Sequence, residues 1–219
     1  MTDTTIATQV AAFDEGFTTQ IGPALSAVFA EEQRDLRAAG VPADAVGPGQ
    51  RLPDAQLLDP AGEAVSLDTV RAGAPVVLVL YRGSWCPYCN LTLRTYQAEL
   101  LPALRDRGVG LVAISPQTPE ASELAVANGE VAFPVLTDPG NVLARTLGVV
   151  TAPSPAARAA HTDLGFDVAD SNADGTGDVP FPTVLVVDAD GVVRFADVNV
   201  DYTTRTEVAD VLRAVDAAV

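Results

Sequence analysis

The sequence predicts an α/β sandwich, a mixed central sheet flanked by helices, with an N-terminal helical extension. Three observations predict it. Short apolar runs at 76–81, 109–115 and 133–138 alternate with helix-like segments, as in strands joined through crossover helices. Residues 183–198, TVLVVDADGVVRFADV, read as an antiparallel hairpin with its turn at 188–191, which makes the sheet mixed. Residues 5–39 are helix-like and are set apart from the rest by a Pro- and Gly-rich stretch.

Each element follows from local chemistry. Within 5–39 the pair Gly22-Pro23 breaks the helix; beyond it Leu25, Val28, Phe29, Glu32 and Leu36 fall near one face, and Gly40 is a stop signal. This arm is suited to packing or to a dimer contact. The expected division is therefore an arm, 1–40, and one domain, 41–219. Residues 41–54, VPADAVGPGQRLPD, read as a linker. AQLL, the turn DPAG and EAVSL form a short hairpin with Gly62 in its turn. The run 76–81 is a buried central strand. Residues 87–107 are helical, kinked at Pro102 and ended by Gly108. A strand (109–115), a helix (119–129) with Pro119 first and Gly129 last, a short strand (133–138) and a helix (141–148) follow. The stretch 150–182 has too many Pro, Gly and Asp for one regular element, and a short helix is expected at 156–164. Residues 205–219 close the chain as a helix.

Bulk properties narrow the function. A chain of 219 residues buries a core without a covalent staple. No apolar run reaches the length of a membrane span. The first residues lack the basic region and apolar core of a signal peptide, so a cytoplasmic location is expected, where lasting disulfides are rare. The net charge is −16 and all 13 basic residues are Arg, a balance that repels nucleic acid and anionic membranes.

Both cysteines lie in YRGSWCPYCN, at 81–90. A staple, a metal site, a redox couple and a peroxidase centre are the alternatives. The expected compartment weighs against a staple, and zinc would need ligands beyond His161, the one histidine. The segment runs strand, short turn, Cys86, helix. A cysteine at a helix N-terminus faces unpaired N–H groups and the positive end of the helix dipole, which favour thiolate. Cys89, one turn on, is within reach to close a disulfide. Pro87 pre-sets the first helical turn, and Trp85 shields the sulfurs on one side. The redox reading requires that the sulfurs face the same way and are not sunk in the core.

WCPYC resembles the active site of the thioredoxin superfamily, where Trp precedes the first Cys; glutaredoxins carry Cys-Pro-Tyr-Cys. The resemblance implies a thioredoxin-like fold. In PFPTVLVVDADG it makes Pro182 the counterpart of the superfamily's cis-proline, which packs against the cysteines, and Pro102 resembles the kink proline of the active-site helix. VGPGQRLPDAQLLDPAGEAVSL, VVLVLYRGSWCPYCNLTLRTYQ, VAISPQTPE and FPVLTDPGNVLARTLGV resemble the alkyl hydroperoxide reductase/thiol-specific antioxidant family, and more closely its bacterial peroxiredoxin-like proteins with a YRG-x-WCPYCN signature. The resemblance covers about residues 45–215. It implies a thiol peroxidase in which Cys86 attacks a peroxide, Cys89 resolves the sulfenic acid and a thioredoxin-like donor restores the thiols. It also implies that a homodimer is common; no nucleotide, flavin or metal motif appears in the sequence, so the cysteines are expected to be the whole redox equipment, with no cofactor.

The chain departs from the family pattern P-x-x-x-[T/S]-x-x-C: Val79 and Gly83 stand at the first two signature positions, and Ser84 is one place off. Pro182 and Thr183 fill the place of the usual Arg before the late strand. Arg82, Ser84 and the amides around Cys86 are the candidate substitutes for holding peroxide. Arg82 also reads as a surface cation and Ser84 as a turn residue. The alternative function is therefore a thiol–disulfide oxidoreductase of thioredoxin type using the same pair. A third reading, calcium binding, rests on DSNADGTGD, with Asp170, Asn172, Asp174, Gly175 and Asp178 at EF-hand spacing; Phe181 stands where the bidentate Glu belongs. His161 reads as a loop or short-helix residue.

Overall fold

The computed structural model describes residues 5–129 and 131–219. Helix α1 (Ile6–Ala39) is broken, as expected, at Gly22, whose φ of 78° places it in the left-handed region just before Pro23. The Thr5 side chain caps it by accepting from the Thr8 N–H. A second cap comes from the far end of the chain: the Glu207 carboxylate accepts from the N–H groups of Ile6 (2.9 Å) and Ala7 (2.8 Å). Further polar contacts pin α1 across the body. The Tyr88 hydroxyl donates to Asp14 at 2.6 Å, and Arg37 pairs with Asp201 at 2.6 Å. The buried Glu32 accepts from the Ser154 N–H (2.7 Å) and the Tyr202 hydroxyl (3.1 Å).

The sheet is built from β1 (Gln56–Leu58), β2 (Ala64–Ser66), β3 (Val76–Leu80), β4 (Gly110–Ser115), β5 (Val135–Thr137), β8 (Thr183–Val187) and β9 (Val193–Val198). Its order is β2-β1-β5-β4-β3-β8-β9. Strand β3 runs parallel to β4 and antiparallel to β8, so Leu80 at its end is flanked by Ile114 and Thr183. All five residues of β3 are buried, as its unbroken apolar run requires. Alternate side chains serve two cores. Val77 and Val79 face one that includes Tyr96, Leu104, Val211 and Val215; Val76, Leu78 and Leu80 face one with Leu57, Ile114, Leu143 and Leu185. Each such side chain contributes roughly 1.5–3 kcal/mol when fully buried.

The helix after the cysteines has three parts: α3 (Pro87–Thr95), a π-helical turn (Tyr96–Leu100) and α4 (Leu101–Arg105). Pro102 lacks the N–H that a regular ladder needs, and the wider turn just ahead of it takes up the mismatch. Helix α2 (Leu67–Arg71) follows the first hairpin, α5 (Pro119–Gly129) joins β4 to β5, and α6 (Val142–Thr146) follows β5. In 150–182, β6 (Val150–Thr151) pairs with β7 (Val179–Pro180) as a separate ladder around α7 (Pro155–Asp163) and α8 (Val168–Ser171).

Two expectations are corrected. The closing helix, α9 (Val208–Ala218), starts three residues later than expected, because Glu207 is its cap, and this leaves Arg205 in the preceding loop. Among the described residues no peptide bond is cis, Pro182's included. The trans form is favoured by about 0.5–1 kcal/mol before proline. Here Phe181 N–H bonds to the Val149 carbonyl (2.8 Å) and the Pro182 carbonyl accepts from Asn199 N–H (2.9 Å), which hold the segment as it stands. No helix among the described residues is long and apolar enough to cross a membrane.

Candidate active site

The turn between β3 and α3 carries the cysteines. At Gly83 φ is 153°, and a Cβ would overlap Gln117 Oε1 and Trp85 Nε1. Only glycine fits this close approach. Gln117 Oε1 accepts from the Ser84 N–H, and its Nε2 donates to Ser84 Oγ at 3.2 Å. Asn90 Nδ2 donates to the Ser84 carbonyl at 2.8 Å. The hydroxyl of Ser84 is thus engaged by Gln117, and Ser84 does not line the cavity beside Cys86.

Gln117 is fully buried and is fixed by the acidic segment. It bridges to Asn172, while Thr118 N–H bonds to Ser171 (3.0 Å) and Ala173 N–H to Pro116 (2.9 Å). Asn172 Nδ2 donates to the carbonyls of Thr176 (2.7 Å) and Asp178 (2.8 Å); Asp174 accepts from Thr176 N–H (3.0 Å), and Asp178 pairs with Arg145. The side chains that suggested a calcium loop cap their own turn and buttress the cysteine turn. Among the described residues no three His, Cys, Asp or Glu side chains gather as a metal site.

Cys86 is the N-cap of α3 and Pro87 its first residue. Both cysteines are free, and each is only 1% exposed. The requirement that the sulfurs not be sunk in the core is therefore not met: both belong to the buried cluster that holds Tyr96 and Leu104. Access comes from inside: Cys86 lies in the wall of a cavity of about 270 Å³, together with Arg82, Trp85, Pro87 and Tyr88. Cys89 faces a separate narrow cleft shared with Pro182, Thr92 and Arg205.

The two sulfurs are hydrogen-bonded to each other. Arg205 Nη2 lies 3.5 Å from the Cys89 sulfur and 3.9 Å from that of Cys86. Its Nη1 donates to the carbonyls of Tyr202 and Thr204, which aims the fork. Burial pushes Cys86 well above the usual thiol range, and the hydrogen bond and charge of Cys89 add to this against the pull of Arg82 and Arg205. Burial also opposes ionisation of Cys89, but the hydrogen bond from Cys86, the Arg205 guanidinium and the Arg82 backbone N–H outweigh it and bring Cys89 to about 5. The pair holds one thiolate. The sequence expected the low pKa on Cys86 from the helix start; the hydrogen bond from Cys86, then Arg205, which lies nearer Cys89, lower Cys89.

Arg82 is no surface cation. It is 5% exposed, its guanidinium 4.9 Å from the Trp85 ring centroid and 4.0 Å from that of Tyr202. His161, on α7, is 6% exposed and packs against Phe29 (5.3 Å), Trp85 (5.7 Å) and Phe166 (4.9 Å) on the same cavity. Burial, then the nearby Arg82 charge, push its imidazole down to about 4 against the pull of Asp167, so it is neutral near pH 7. Arg205, Tyr202 and Gln117 were not singled out from the sequence. The local signal for Arg205 was weak: YTTRT favours β-branched and hydroxyl residues that resist starting a helix.

A mixed sheet with a Cys-x-x-Cys pair at the start of the helix after a central strand defines the thioredoxin-fold superfamily. A profile of the AhpC/TSA family matches residues 48–196, and the chain belongs to that family. Solved structures share the fold. Peroxidoxin BcpB from Mycobacterium tuberculosis superposes with a TM-score of 0.59 at 19% identity, over 78% of this chain and 97% of that one. A peroxiredoxin-like protein from Aquifex aeolicus gives 0.61 at 14% identity, over 80% and 89%. Thiol-disulfide oxidoreductase ResA from Bacillus thuringiensis is 27% identical over 107 residues, 48% of this chain. The match spans 60% of the length of that relative. The homologues are thus peroxiredoxin-like proteins and thiol–disulfide oxidoreductases, the enzyme class the cysteine pair suggested.

Proposed function

We propose that the protein is a thiol-dependent peroxidase acting on hydrogen peroxide or organic hydroperoxides. The observation that carries this is the division of labour between the sulfurs: Cys86 lines a cavity able to admit a substrate, while Cys89, on a separate cleft beside Arg205, is the sulfur held as thiolate. When a peroxide enters, the Cys86 proton passes to Cys89 along the S–H···S bond. The Cys86 thiolate attacks the terminal peroxide oxygen; an S–O bond forms, the O–O bond breaks, and the leaving oxyanion takes the proton from Cys89. Arg82 and Arg205 stabilise the charge as it moves. The Cys89 thiolate then attacks the Cys86 sulfenic acid, forming the disulfide and releasing hydroxide, which solvent protonates. A thioredoxin-like dithiol donor reduces the disulfide. Trp85 and Pro87 shape the cavity wall, Ser84 and Gln117 fix the turn, and Pro182 packs beside Cys89.

The second reading, thiol–disulfide exchange, is favoured by the ResA likeness and by the displaced Ser84. Stopped-flow mixing of reduced protein with hydrogen peroxide, cumene hydroperoxide and a small disulfide separates the two. The peroxidase reading expects peroxide oxidation far faster than that of a free thiol of similar pKa, and its loss in Cys86→Ser. Rates no faster than that thiol, with rapid disulfide exchange, would transfer the assignment to the second reading.

A further inference from the structure

The cavity over Cys86 has one fixed charge on its lining, the Arg82 guanidinium. This is notable in a chain with 29 acidic and 13 basic residues. Among the described residues no carboxylate or hydrogen-bond acceptor pairs with that guanidinium, although the residue is 5% exposed. Its contacts are the faces of Trp85 and Tyr202. The buried Glu32 lies behind Tyr202, and its oxygens are taken by Ser154 and the Tyr202 hydroxyl. The single thiolate of the cysteine pair is already matched by Arg205. Arg82 thus shares the field of the thiolate with Arg205 but has no direct acceptor of its own, and an anion in the cavity would be its first.

The rest of the lining is mostly apolar. Phe17 and Phe29 from α1 face Trp85 and the neutral His161, and 270 Å³ is close to the lower end of the ~300–1,000 Å³ of small-molecule sites. We propose that this cavity selects a substrate with an aromatic or bulky apolar body and a carboxylate, the carboxylate on Arg82 and the body between α1 and Trp85. This deepens the peroxidase reading and rests on Cys86 as the sulfur that meets the substrate. On that reading the substrate is a carboxylate-bearing organic hydroperoxide. Its hydroperoxide end reacts as above, and the carboxylate neither gains nor loses atoms or electrons.

Trp85 is the one tryptophan of the chain, so its fluorescence reports the cavity directly. The test titrates reduced protein with phenylacetate and with its neutral amide, phenylacetamide. The acid should bind about ten-fold or more tightly than the amide, the gain of a charge-assisted hydrogen bond over a neutral one. Arg82→Gln should equalise the two, and Arg82→Lys should keep part of the preference. Equal affinities in the wild type, no binding of either, or a preference that survives Arg82→Gln would overturn the proposal. Should Arg82→Gln fail to fold, wild type decides: phenylacetate must slow alkylation of Cys86 by iodoacetamide where equal phenylacetamide does not. The peroxidase reading fails separately. Selective phenylacetate binding with slow reaction toward every hydroperoxide sinks that reading and leaves the anion subsite, whereas fast peroxide oxidation without carboxylate preference does the reverse.

Discussion

Arg205 and Cys89 stand 116 positions apart in the chain, yet the guanidinium is 3.5 Å from the sulfur. After the hydrogen bond from Cys86, this contact is the main influence that lowers the Cys89 thiol. Arg205→Gln should raise the low thiol pKa, which lies at about 5, toward the ordinary range. Alkylation by iodoacetamide at pH 7 should slow by about ten-fold, with the inflection of the rate–pH profile moved upward. An unchanged profile would show that the hydrogen bond from Cys86 and the Arg82 N–H lower Cys89 without Arg205.

The same pair makes stability depend on pH with a definite sign. Both thiols titrate near ~8.5 in the unfolded chain. In the folded chain Cys89 is lowered to about 5 and Cys86 is raised well above its usual range. Between pH 5 and the ordinary thiol range the unfolded chain binds one proton more, so stability rises with pH; above that range the folded chain binds one more, so it falls. The urea midpoint of the reduced wild type minus that of a Cys86→Ala/Cys89→Ala variant should therefore peak near pH ~8.5. A difference that is flat across this range would contradict the shared thiolate.

Gly83→Ala tests the turn. The added Cβ meets Gln117 and Trp85 at a backbone conformation that disfavours side chains. A loss of about 1–3 kcal/mol in unfolding free energy is expected, with altered Trp85 emission. Gln117→Ala should change the same emission, because Gln117 bonds both the N–H and the hydroxyl of Ser84.

Glu207→Ala removes the acceptor from the first two N–H groups of α1. Losing a cap costs about 0.5–2 kcal/mol. Hydrogen exchange should speed at Ile6 and Ala7 while amides of β3 keep their protection.

Much of the fold was legible because its signals are local. The buried run of β3, the hairpin turn with Gly191, the break at Gly22-Pro23 and the irregularity before Pro102 each follow from a few adjacent residues. The cysteine pair and its place at the start of α3 were legible for the same reason. What surrounds the sulfurs was not. Arg205, Tyr202 and Gln117 reach the site through tertiary packing, and no spacing rule connects them to Cys86. The burial of Arg82, the tight cover over both sulfurs and the engagement of Ser84 depend on how α1 and the segment 150–182 fold over the turn. The trans bond at Pro182 corrects an inference carried over by likeness.

The family profile ends at residue 196 and begins at 48, yet Phe17, Phe29, Tyr202 and Arg205 all lie beyond those limits. The shared body supplies the sulfurs, while the flanks supply the roof and the cation that grip them. Exchanging only those flanks would therefore strip the Arg205 contact from the sulfurs and the apolar roof from the cavity, while Arg82 and the cysteines stayed with the shared body.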